Sequence, residues 1–283
     1  MEHVGYYNGT MGPLEEIQVP MLDRVCFYGD GVYDATLTKD KVILYLDDHL
    51  DRFFNSMRIM RFEPNFTREE LADTLQRVVD ETEAPVTFLY WQITRGTGYR
   101  QHDFLPDTPP NLWIYASPSH FSDLSESYRV ITKEDTRHHH CNVKTLNLLP
   151  NVMGQQDATE AGCDECILVR DGVVTETCHS NVHILKDGVL VTHAADNLIL
   201  PGIARKHLLA MCNTLGIPVD EGGFTREQMM DADEIIISAS STFAKRVREI
   251  DGQPAGFKDE ATYSRLRDAL QQEFEDYIAS HAR

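Results

Sequence analysis

A chain of 283 residues with a formal net charge of -19 is long enough for one large or two medium domains, and its acidity disfavours binding to nucleic acid or anionic membranes. Hydrophobic residues make up 42 % of the sequence, and no apolar run approaches the ~20 residues of a transmembrane helix, so we expect a globular soluble protein. The N-terminus shows no signal-peptide pattern and the six cysteines are scattered, so we expect a cytoplasmic protein with free thiols.

The first third of the sequence predicts a sheet accompanied by helices. The runs GVYDATLT and KVILYL flank a short Lys-Asp turn and predict a hairpin. In HLDRFFNSMRIM the apolar residues recur at helical spacing, and Asp47 and Asp48 are candidate caps for this helix. Thr67 and Glu70 form a capping box for the next helix, and PVTFLYWQITR and NLWIYAS predict further strands.

A serine-rich segment separates this part from a second strand-rich part of the chain. We therefore predict an N-terminal domain at 1–117, a linker at 118–127 and a C-terminal domain at 128–283. Beyond the linker, SYRVITK, ECILVRDGVVTET, NVHILKDGVLVTH and DEIIISAS predict strands with Asp-Gly hairpin turns, and ARKHLLAMCNTLG, REQMMDAD and TYSRLRDALQQEFEDYIAS predict helices. This mixture favours an α+β fold with largely antiparallel strands.

One lysine stands apart from the others. Lys144 lies in HHHCNVKTLNLLPNVMGQQ, with no other charged residue between Arg137 and Asp157, whereas every other lysine adjoins a charged residue. Neutral surroundings make a lysine a candidate for burial, and burial lowers the pKa of a lysine and frees its amine as a nucleophile. A solvated lysine in a polar loop is the alternative.

A lysine that binds a carbonyl cofactor such as pyridoxal phosphate needs partners for the phosphate, the ring nitrogen and the substrate. LPGIARKHLL begins a helix, whose first amides favour an anion, and IIISASST ends a strand in hydroxyls. A plain helix start, a turn cap and a solvated arginine remain the alternatives. The candidate phosphate ligands are Ile203, Ala204, Ser240, Ser241, Thr242 and Arg52.

An acid and a substrate anchor are also present in the sequence. Glu176 ends a predicted strand between two threonines, where its carboxylate could keep a pyridine nitrogen protonated. Arg100 and His102, in TRGTGYRQHDF, could bind a carboxylate together. A glutamate at a hairpin edge and an exposed loop with scattered cations are the alternatives.

A metal site is not expected. Cys163 and Cys166 form a CxxC, and His138–His140 is a histidine run. The second CxxC of a zinc site is missing, and Cys166 opens an apolar run that predicts a strand.

Together these segments resemble the class IV (fold type IV) pyridoxal-phosphate aminotransferases, and most closely their D-amino acid branch. The resemblance covers nearly the whole chain, through YGDGVYDAT, HLDRF, QITRGTGYRQHDF, CNVKTLNLLPNVM, VTETCHSNVHIL, LPGIAR and SASST. It implies a smaller N-terminal α/β domain and a larger C-terminal domain with a β-barrel-like sheet. The implied cofactor ligands are the Schiff-base lysine Lys144, Glu176 at the pyridine nitrogen, and Arg52, Ile203, Ala204, Ser240 and Ser241 at the phosphate.

The resemblance also implies a substrate site, with three departures from the usual pattern. Arg100 and His102 would bind the substrate carboxylate, with Tyr33, the active-site tyrosine, as orienting partner. Cys178 and His179 stand where the D-amino acid enzymes usually have small residues, so we expect them to line or support the substrate pocket and to shift side-chain preference. Relatives commonly have threonine where this chain has Ala204 and often have glutamate where it has Asp34.

The implied activity is a D-amino acid:2-oxo acid aminotransferase, for example with D-alanine and 2-oxoglutarate, acting as a homodimer with its sites near the subunit interface. Branched-chain L-amino acid aminotransferase, (R)-amine transaminase and 4-amino-4-deoxychorismate lyase are alternatives with the same fold. A non-catalytic protein that binds a metal or cofactor is the alternative from another class.

Overall fold

The computed structural model describes residues 1–282, and its contacts group into two compact units. Unit 1 comprises Met1–Phe121, Val143–Asn147 and the C-terminal residues from Tyr277. Unit 2 comprises Ser122–Asn142 and Leu148–Asp276. The five residues around Lys144 therefore group with the N-terminal part of the chain. The domain boundaries given above remain a prediction.

Unit 1 is built on a six-stranded antiparallel sheet with the order β2-β1-β6-β5-β3-β4. The strands are β1 (Val4–Tyr7), β2 (Thr10–Pro13), β3 (Gly31–Lys39), β4 (Val42–Ile43), β5 (Val86–Thr94) and β6 (Asn111–Pro118). The helices are α1 (Val25–Tyr28), α2 (Leu46–Ile59) and α3 (Arg68–Asp80), and Leu14–Glu16 is a 3-10 turn. The predicted hairpin is the β3–β4 pair, and the capping box of Thr67 and Glu70 is present at the start of α3.

The prediction that Asp47 or Asp48 caps α2 is wrong. The helix begins at Leu46, after Tyr45 in the left-handed region at φ 48°, and no described side chain caps it. Asp47 and Asp48 instead lie in the first turn, where the positive end of the helix dipole stabilises their carboxylates. The predicted apolar face of α2 does pack into the core, through Leu50, Phe53 and Met57.

One face of this sheet packs against α2 and α3, and the other face carries a row of tyrosines. The buried face joins β3, β5 and β6 to the helices through Val32, Leu89, Trp91, Ile114, Phe53, Leu71 and Leu75. Alternation along each strand turns the neighbouring residues Tyr33, Tyr90 and Tyr115 to the opposite face. The sheet thus separates the core from a row of aromatic side chains that includes a predicted site residue.

Unit 2 is built on a nine-stranded mixed sheet with the order β12-β11-β10-β13-β14-β7-β8-β9, with β15 paired to β14. Three pairs are parallel, namely β11 with β12, β14 with β7 and β7 with β8, and the remaining pairs are antiparallel as predicted. The strands are β7 (Ser127–Glu134), β8 (Glu165–Arg170), β9 (Val173–Thr177), β10 (Asn181–Lys186), β11 (Val189–Thr192), β12 (Val219–Asp220), β13 (Glu234–Ser238), β14 (Lys245–Ile250) and β15 (Gln253–Pro254).

Four helices accompany this sheet. They are α4 (Leu149–Glu160), α5 (Ile203–Leu215), α6 (Arg226–Asp231) and α7 (Glu260–His281), whose residues up to Asp276 belong to unit 2. Gly216 ends α5 at φ 68°, as a C-terminal glycine should. The sequence did not predict α4, because this helix buries only Gly154 and Ala158 and exposes its larger apolar residues. Within residues 1–282, no helix has the length and apolarity needed to cross a membrane.

Candidate active site

The backbone around Lys144 is fixed beside one end of β3. β4 pairs only with the C-terminal end of β3. The N-terminal end of β3 can therefore pair with the segment around Lys144. Tyr33 N donates to Lys144 O at 2.9 Å, and Leu146 N donates to Gly31 O at 3.1 Å. A Cβ on Gly31 would lie 2.6 Å from the backbone oxygen of Ile93 on β5 and 2.5 Å from Leu146 Cδ1, so the close approach of the neighbouring strand requires glycine. Gly31, the second glycine in YGDGVYDAT, thus leaves room for the β5 backbone and for the Leu146 side chain of the lysine segment.

The amine of Lys144 contacts a tyrosine. Its Nζ lies 3.2 Å from Tyr33 Oη and 4.3 Å from the centroid of that ring. Lys144 is half-buried rather than fully buried, and its backbone N donates to Ser56 Oγ on α2 at 3.3 Å. The structure therefore brings together two predicted site residues that are far apart in sequence, and adds Ser56, which the sequence did not suggest.

The ring of Tyr33 is held by two further tyrosines. Tyr33 stacks on Tyr90 with 5.3 Å between centroids, and Tyr90 stacks on Tyr115 at 5.2 Å. Burial raises the pKa of both Tyr90 and Tyr115, so these phenols stay neutral at physiological pH. The stack restricts the tilt of the Tyr33 ring and so fixes the hydroxyl beside the lysine.

Arg52 is oriented by a buried carboxylate. Its Nε donates to Asp34 Oδ2 at 2.9 Å and its Nη2 donates to Asp34 Oδ1 at 2.6 Å, a bidentate pair. His49 Nδ1 lies 2.7 Å from Asp34 Oδ1. Helical spacing places His49, Arg52 and Ser56 on one face of α2, which faces β3.

The ionisation of this cluster follows from its burial. Burial alone would raise the pKa of Asp34, but the Arg52 guanidinium outweighs it and holds that pKa well below the ordinary value. Burial lowers the pKa of His49 despite the opposing charge of Asp34, so the imidazole is neutral near pH 7. Asp34 and Arg52 are therefore a charged pair. The sequence indicated Asp34 only as a departure from its relatives and gave no sign of its bond to Arg52.

Arg100 and His102 converge on a third side chain in unit 1. The guanidinium carbon of Arg100 lies 5.1 Å from the centroid of the Tyr28 ring, and the His102 ring lies 5.4 Å from it. Both side chains are exposed, and both lie in a loop outside the strands and helices. Tyr28 was not among the predicted site residues, since an aromatic residue at the end of a short helix carries no signal of its own.

Glu176 in unit 2 is a buried carboxylate with several donors. Its Oε2 accepts hydrogen bonds from Asn181 Nδ2 and from Leu200 N, both at 3.0 Å. Its Oε1 accepts a hydrogen bond from Arg137 Nη1. Both oxygens of Glu176 accept hydrogen bonds from buried donors, so Glu176 is not a solvated glutamate at a hairpin edge.

Arg137 links Glu176 to a second buried carboxylate. Arg137 Nε and Nη2 donate to the two oxygens of Asp135, each at 2.9 Å, and Arg170 Nη2 lies 2.9 Å from Asp135 Oδ1. Burial alone would raise the pKa of Asp135, but its bonds to Arg137 hold that pKa well below the ordinary range. The sequence analysis missed Arg137, although Asp135 and Arg137 stand two residues apart and such residues share a face in an extended segment.

The predicted phosphate ligands of unit 2 lie at two chain turns. α5 begins at Ile203, and among the described residues no side chain caps this helix at Gly202. The amides of Ile203 and Ala204 therefore lie at the positive end of the helix dipole. Ser240, Ser241 and Thr242 form the turn between β13 and β14, in which Thr242 N donates to Ala239 O at 3.1 Å.

Cys178 and His179 occupy different environments. Cys178 is buried with Cys166 in a small cluster against α4, where a hydrogen bond from the Cys178 thiol to Cys166 and burial both raise the pKa of Cys178. His179 is exposed, and its Nε2 lies 2.9 Å from the buried Glu165 Oε2. A role of either side chain in the substrate pocket remains a prediction.

The structure also shows whether the cysteines are paired and whether residues that could bind a metal lie together. All six cysteines are free thiols. In the part of the chain that the structure describes, no three side chains of histidine, cysteine, aspartate or glutamate gather as a metal site.

These units and motifs match known proteins along most of the chain. The family model "Amino-transferase class IV" matches residues 31–250, and the chain belongs to this family. The chain is 35 % identical over 252 residues to a protein of Bacillus licheniformis named D-alanine aminotransferase, covering 88 % of this chain and 89 % of that protein. It is 34 % identical over 280 residues to the D-alanine aminotransferase of Staphylococcus epidermidis, covering 98 % of each.

Solved structures show the same fold. The branched-chain amino acid aminotransferase of Escherichia coli superposes with a TM-score of 0.88 at 23 % identity, covering 97 % of this chain and 95 % of that chain. A branched-chain aminotransferase from Thermoproteus uzoniensis gives 0.85 at 23 % identity, covering 98 % and 97 %. The predicted α+β fold of type IV, the aminotransferase class and its pyridoxal phosphate cofactor are thereby confirmed.

Proposed function

We propose that this chain is a D-amino acid:2-oxo acid aminotransferase that acts as a cytoplasmic homodimer. The observation that carries the substrate assignment is the convergence of Arg100 and His102 on the Tyr28 ring, because a guanidinium and an imidazole side by side can both donate to a carboxylate. The relatives named D-alanine aminotransferase support it. The free cysteines support a reducing compartment.

The donor chemistry of each unit fits pyridoxal phosphate, which supplies an electron sink when it is bound. In unit 1, Lys144 Nζ would hold the cofactor through its aldehyde, and the same amine, once the substrate amine has displaced it, would take the proton from the substrate Cα as base and give a proton back as acid. Tyr33 Oη orients that amine. Arg52, held by Asp34, would bind the phosphate.

In unit 2, we assign Glu176 to the pyridine nitrogen. Its buried, multiply bonded carboxylate is suited to keep a proton on a ring nitrogen. The helix amides and turn hydroxyls would bind the phosphate, and they belong to Ile203, Ala204, Ser240 and Ser241. Cys178 and His179 remain candidates to line the pocket for the substrate side chain.

A branched-chain L-amino acid aminotransferase is the second candidate, because solved structures with that name share the fold. Their identity to this chain, at 23 %, is lower than that of the D-alanine aminotransferases. (R)-Amine transaminase and 4-amino-4-deoxychorismate lyase are disfavoured, because the paired donors Arg100 and His102 suit an α-carboxylate.

A panel of paired D- and L-amino acids tests the assignment. We expect kcat/KM for D-alanine with 2-oxoglutarate to exceed that for L-alanine by on the order of 10²-fold, since the fixed donors bind the carboxylate in only one orientation toward the base. Preference for L-leucine would identify a branched-chain enzyme. Preference for a primary amine without a carboxylate, or consumption of 4-amino-4-deoxychorismate, would likewise contradict the proposal.

Replacing Asp34 by asparagine is expected to weaken pyridoxal phosphate binding about 10- to 100-fold, which is the loss of affinity expected when one charged hydrogen bond is removed. Asparagine keeps the size of the side chain but cannot hold both arms of the Arg52 guanidinium. The affinity for pyridoxal, which has no phosphate, should change less. Absorbance titration of the apoenzyme with both compounds measures the difference.

Asp51→Asn is the matched control, because Asp51 is also paired with an arginine, Arg68 at 2.7 Å, but at the exposed surface of the same unit. We expect it to leave both affinities unchanged. Equal losses for pyridoxal phosphate and pyridoxal in Asp34→Asn would show that Asp34 does not act through the phosphate.

A further inference from the structure

A buried arginine lies behind the loop that carries Arg100 and His102. Arg24 directly precedes α1 and is almost fully buried, with 3 % of its side chain exposed. Its Nη1 donates to the carbonyl oxygens of Gln101 at 2.8 Å and Asp103 at 3.2 Å. These two carbonyls belong to the residues on either side of His102. One guanidinium therefore fixes the backbone of the segment that presents both proposed carboxylate donors.

Arg24 is itself fixed from behind by a shared carboxylate. Its Nε donates to Asp30 Oδ2 at 2.8 Å. Asp30 also accepts hydrogen bonds from Arg95 Nε, at 3.0 and 3.1 Å to its two oxygens. Because Arg95 remains on Asp30 when Arg24 is changed, a variant at Arg24 would not leave this carboxylate without a cation.

The backbone of Arg24 and that of Leu22, two residues before it, are tied to the start of the same loop. Arg24 N donates to Gly96 O at 3.0 Å, and Gly98 N donates to Leu22 O at 2.9 Å. The loop is thus attached near its beginning through the backbone and near its centre through the Arg24 side chain.

The Tyr28 ring brings Arg24 and the two donors together. The guanidinium carbon of Arg24 lies 5.1 Å from the centroid of this ring, the same distance as that of Arg100. His102 contacts the same ring. The Arg100 and His102 side chains are exposed and their loop is neither strand nor helix, so their positions depend on these attachments.

We propose that Arg24 is a positioning residue for substrate carboxylate binding, which it serves by fixing the loop of Arg100 and His102. This proposal rests on the proposed function, because it assumes that these two side chains bind a carboxylate. Arg24 would not touch the substrate. Its loss should therefore raise KM for the amino acid and for the 2-oxo acid, which both carry the carboxylate, and leave cofactor binding unchanged.

The test compares Arg24→Met and Arg24→Lys holoenzymes with wild type and with Arg100→Ala. For Arg24→Met we expect both KM values to rise about 10- to 100-fold, the effect of a lost charged hydrogen bond, with kcat within about threefold of wild type. Arg24→Lys should recover part of the loss, because an ammonium can reach some of these oxygens but lacks the fork. Hydrogen exchange should increase in the peptide spanning residues 99–105.

Arg68→Met is the matched control, since Arg68 is an ion-paired arginine of the same unit that lies at the surface. It should change neither the KM values nor exchange in the loop. Failure of the proposed function would show in two results: wild type would have the same KM for substrates with and without a carboxylate, and Arg100→Ala would not raise the KM values. Either result would remove the basis of the inference about Arg24.

Three results would overturn the inference about Arg24 alone. Unchanged exchange in the loop of Arg24→Met would show that the arginine does not fix it. Increased exchange with unchanged KM values would show that the fixation does not serve substrate binding. A parallel loss of pyridoxal phosphate affinity and thermal stability, with no specific change in KM, would show a purely structural role.

Discussion

Replacing Lys144 by alanine is expected to lower turnover about 10⁴-fold or more, because a positioned acid–base group alone contributes up to about that factor. The same nitrogen is the proposed nucleophile for the cofactor aldehyde, so one substitution removes two functions. The fold should survive, because the backbone of Lys144 keeps its bonds to Tyr33 and Ser56 whatever side chain it carries. Single-turnover absorbance measurements with D-alanine would give the rate.

A surface lysine provides the control for this change. Lys133→Ala removes an amine that pairs with Asp157 at the exposed surface of unit 2 and should leave turnover unchanged. Borohydride reduction of the wild-type holoenzyme followed by peptide mapping should place the reduced adduct at Lys144. An adduct on any other lysine, or a coloured and active Lys144→Ala enzyme, would refute the assignment.

Patterns that act over a few residues predicted the local structure well. The capping box of Thr67 and Glu70 and the Asp-Gly hairpins depend on bonds between near neighbours, and both are present. α4 escaped prediction because its buried residues are small and its exposed ones are apolar, which removes the periodic signal.

The chemistry of the site was only partly predictable, for a physical reason. The sequence singled out Lys144 by its neutral neighbours and Glu176 by its position at a strand end. It could not show that Asp34 pairs with Arg52 or that Arg137 bonds to Glu176, because these bonds join residues 18 and 39 positions apart. Such partners orient the predicted groups, and they become visible only when strands and helices are placed in space.

Glu176→Gln is expected to lower the single-turnover rate constant by on the order of 10²- to 10³-fold, the range observed when one electrostatic partner of a reaction is removed. Glutamine has nearly the same shape and can still accept hydrogen bonds from Asn181 and Leu200. It lacks the negative charge that would keep a proton on the pyridine nitrogen. The absorbance spectrum of the bound cofactor in Glu176→Gln should also differ from that in wild type.

Loss of a buried carboxylate also costs stability, and a second glutamate separates that cost from the effect on catalysis. Glu234 is fully buried in the same unit and pairs with Arg246 at 2.7 and 2.9 Å, much as Glu176 pairs with Arg137. Removing one partner of a buried ion pair typically costs about 3–5 kcal/mol, so both Glu176→Gln and Glu234→Gln should unfold at lower denaturant concentration. Only Glu176→Gln should react slowly while it is folded. If the two variants lost activity equally, or if Glu176→Gln kept its rate within about threefold, the carboxylate would serve the fold rather than the cofactor.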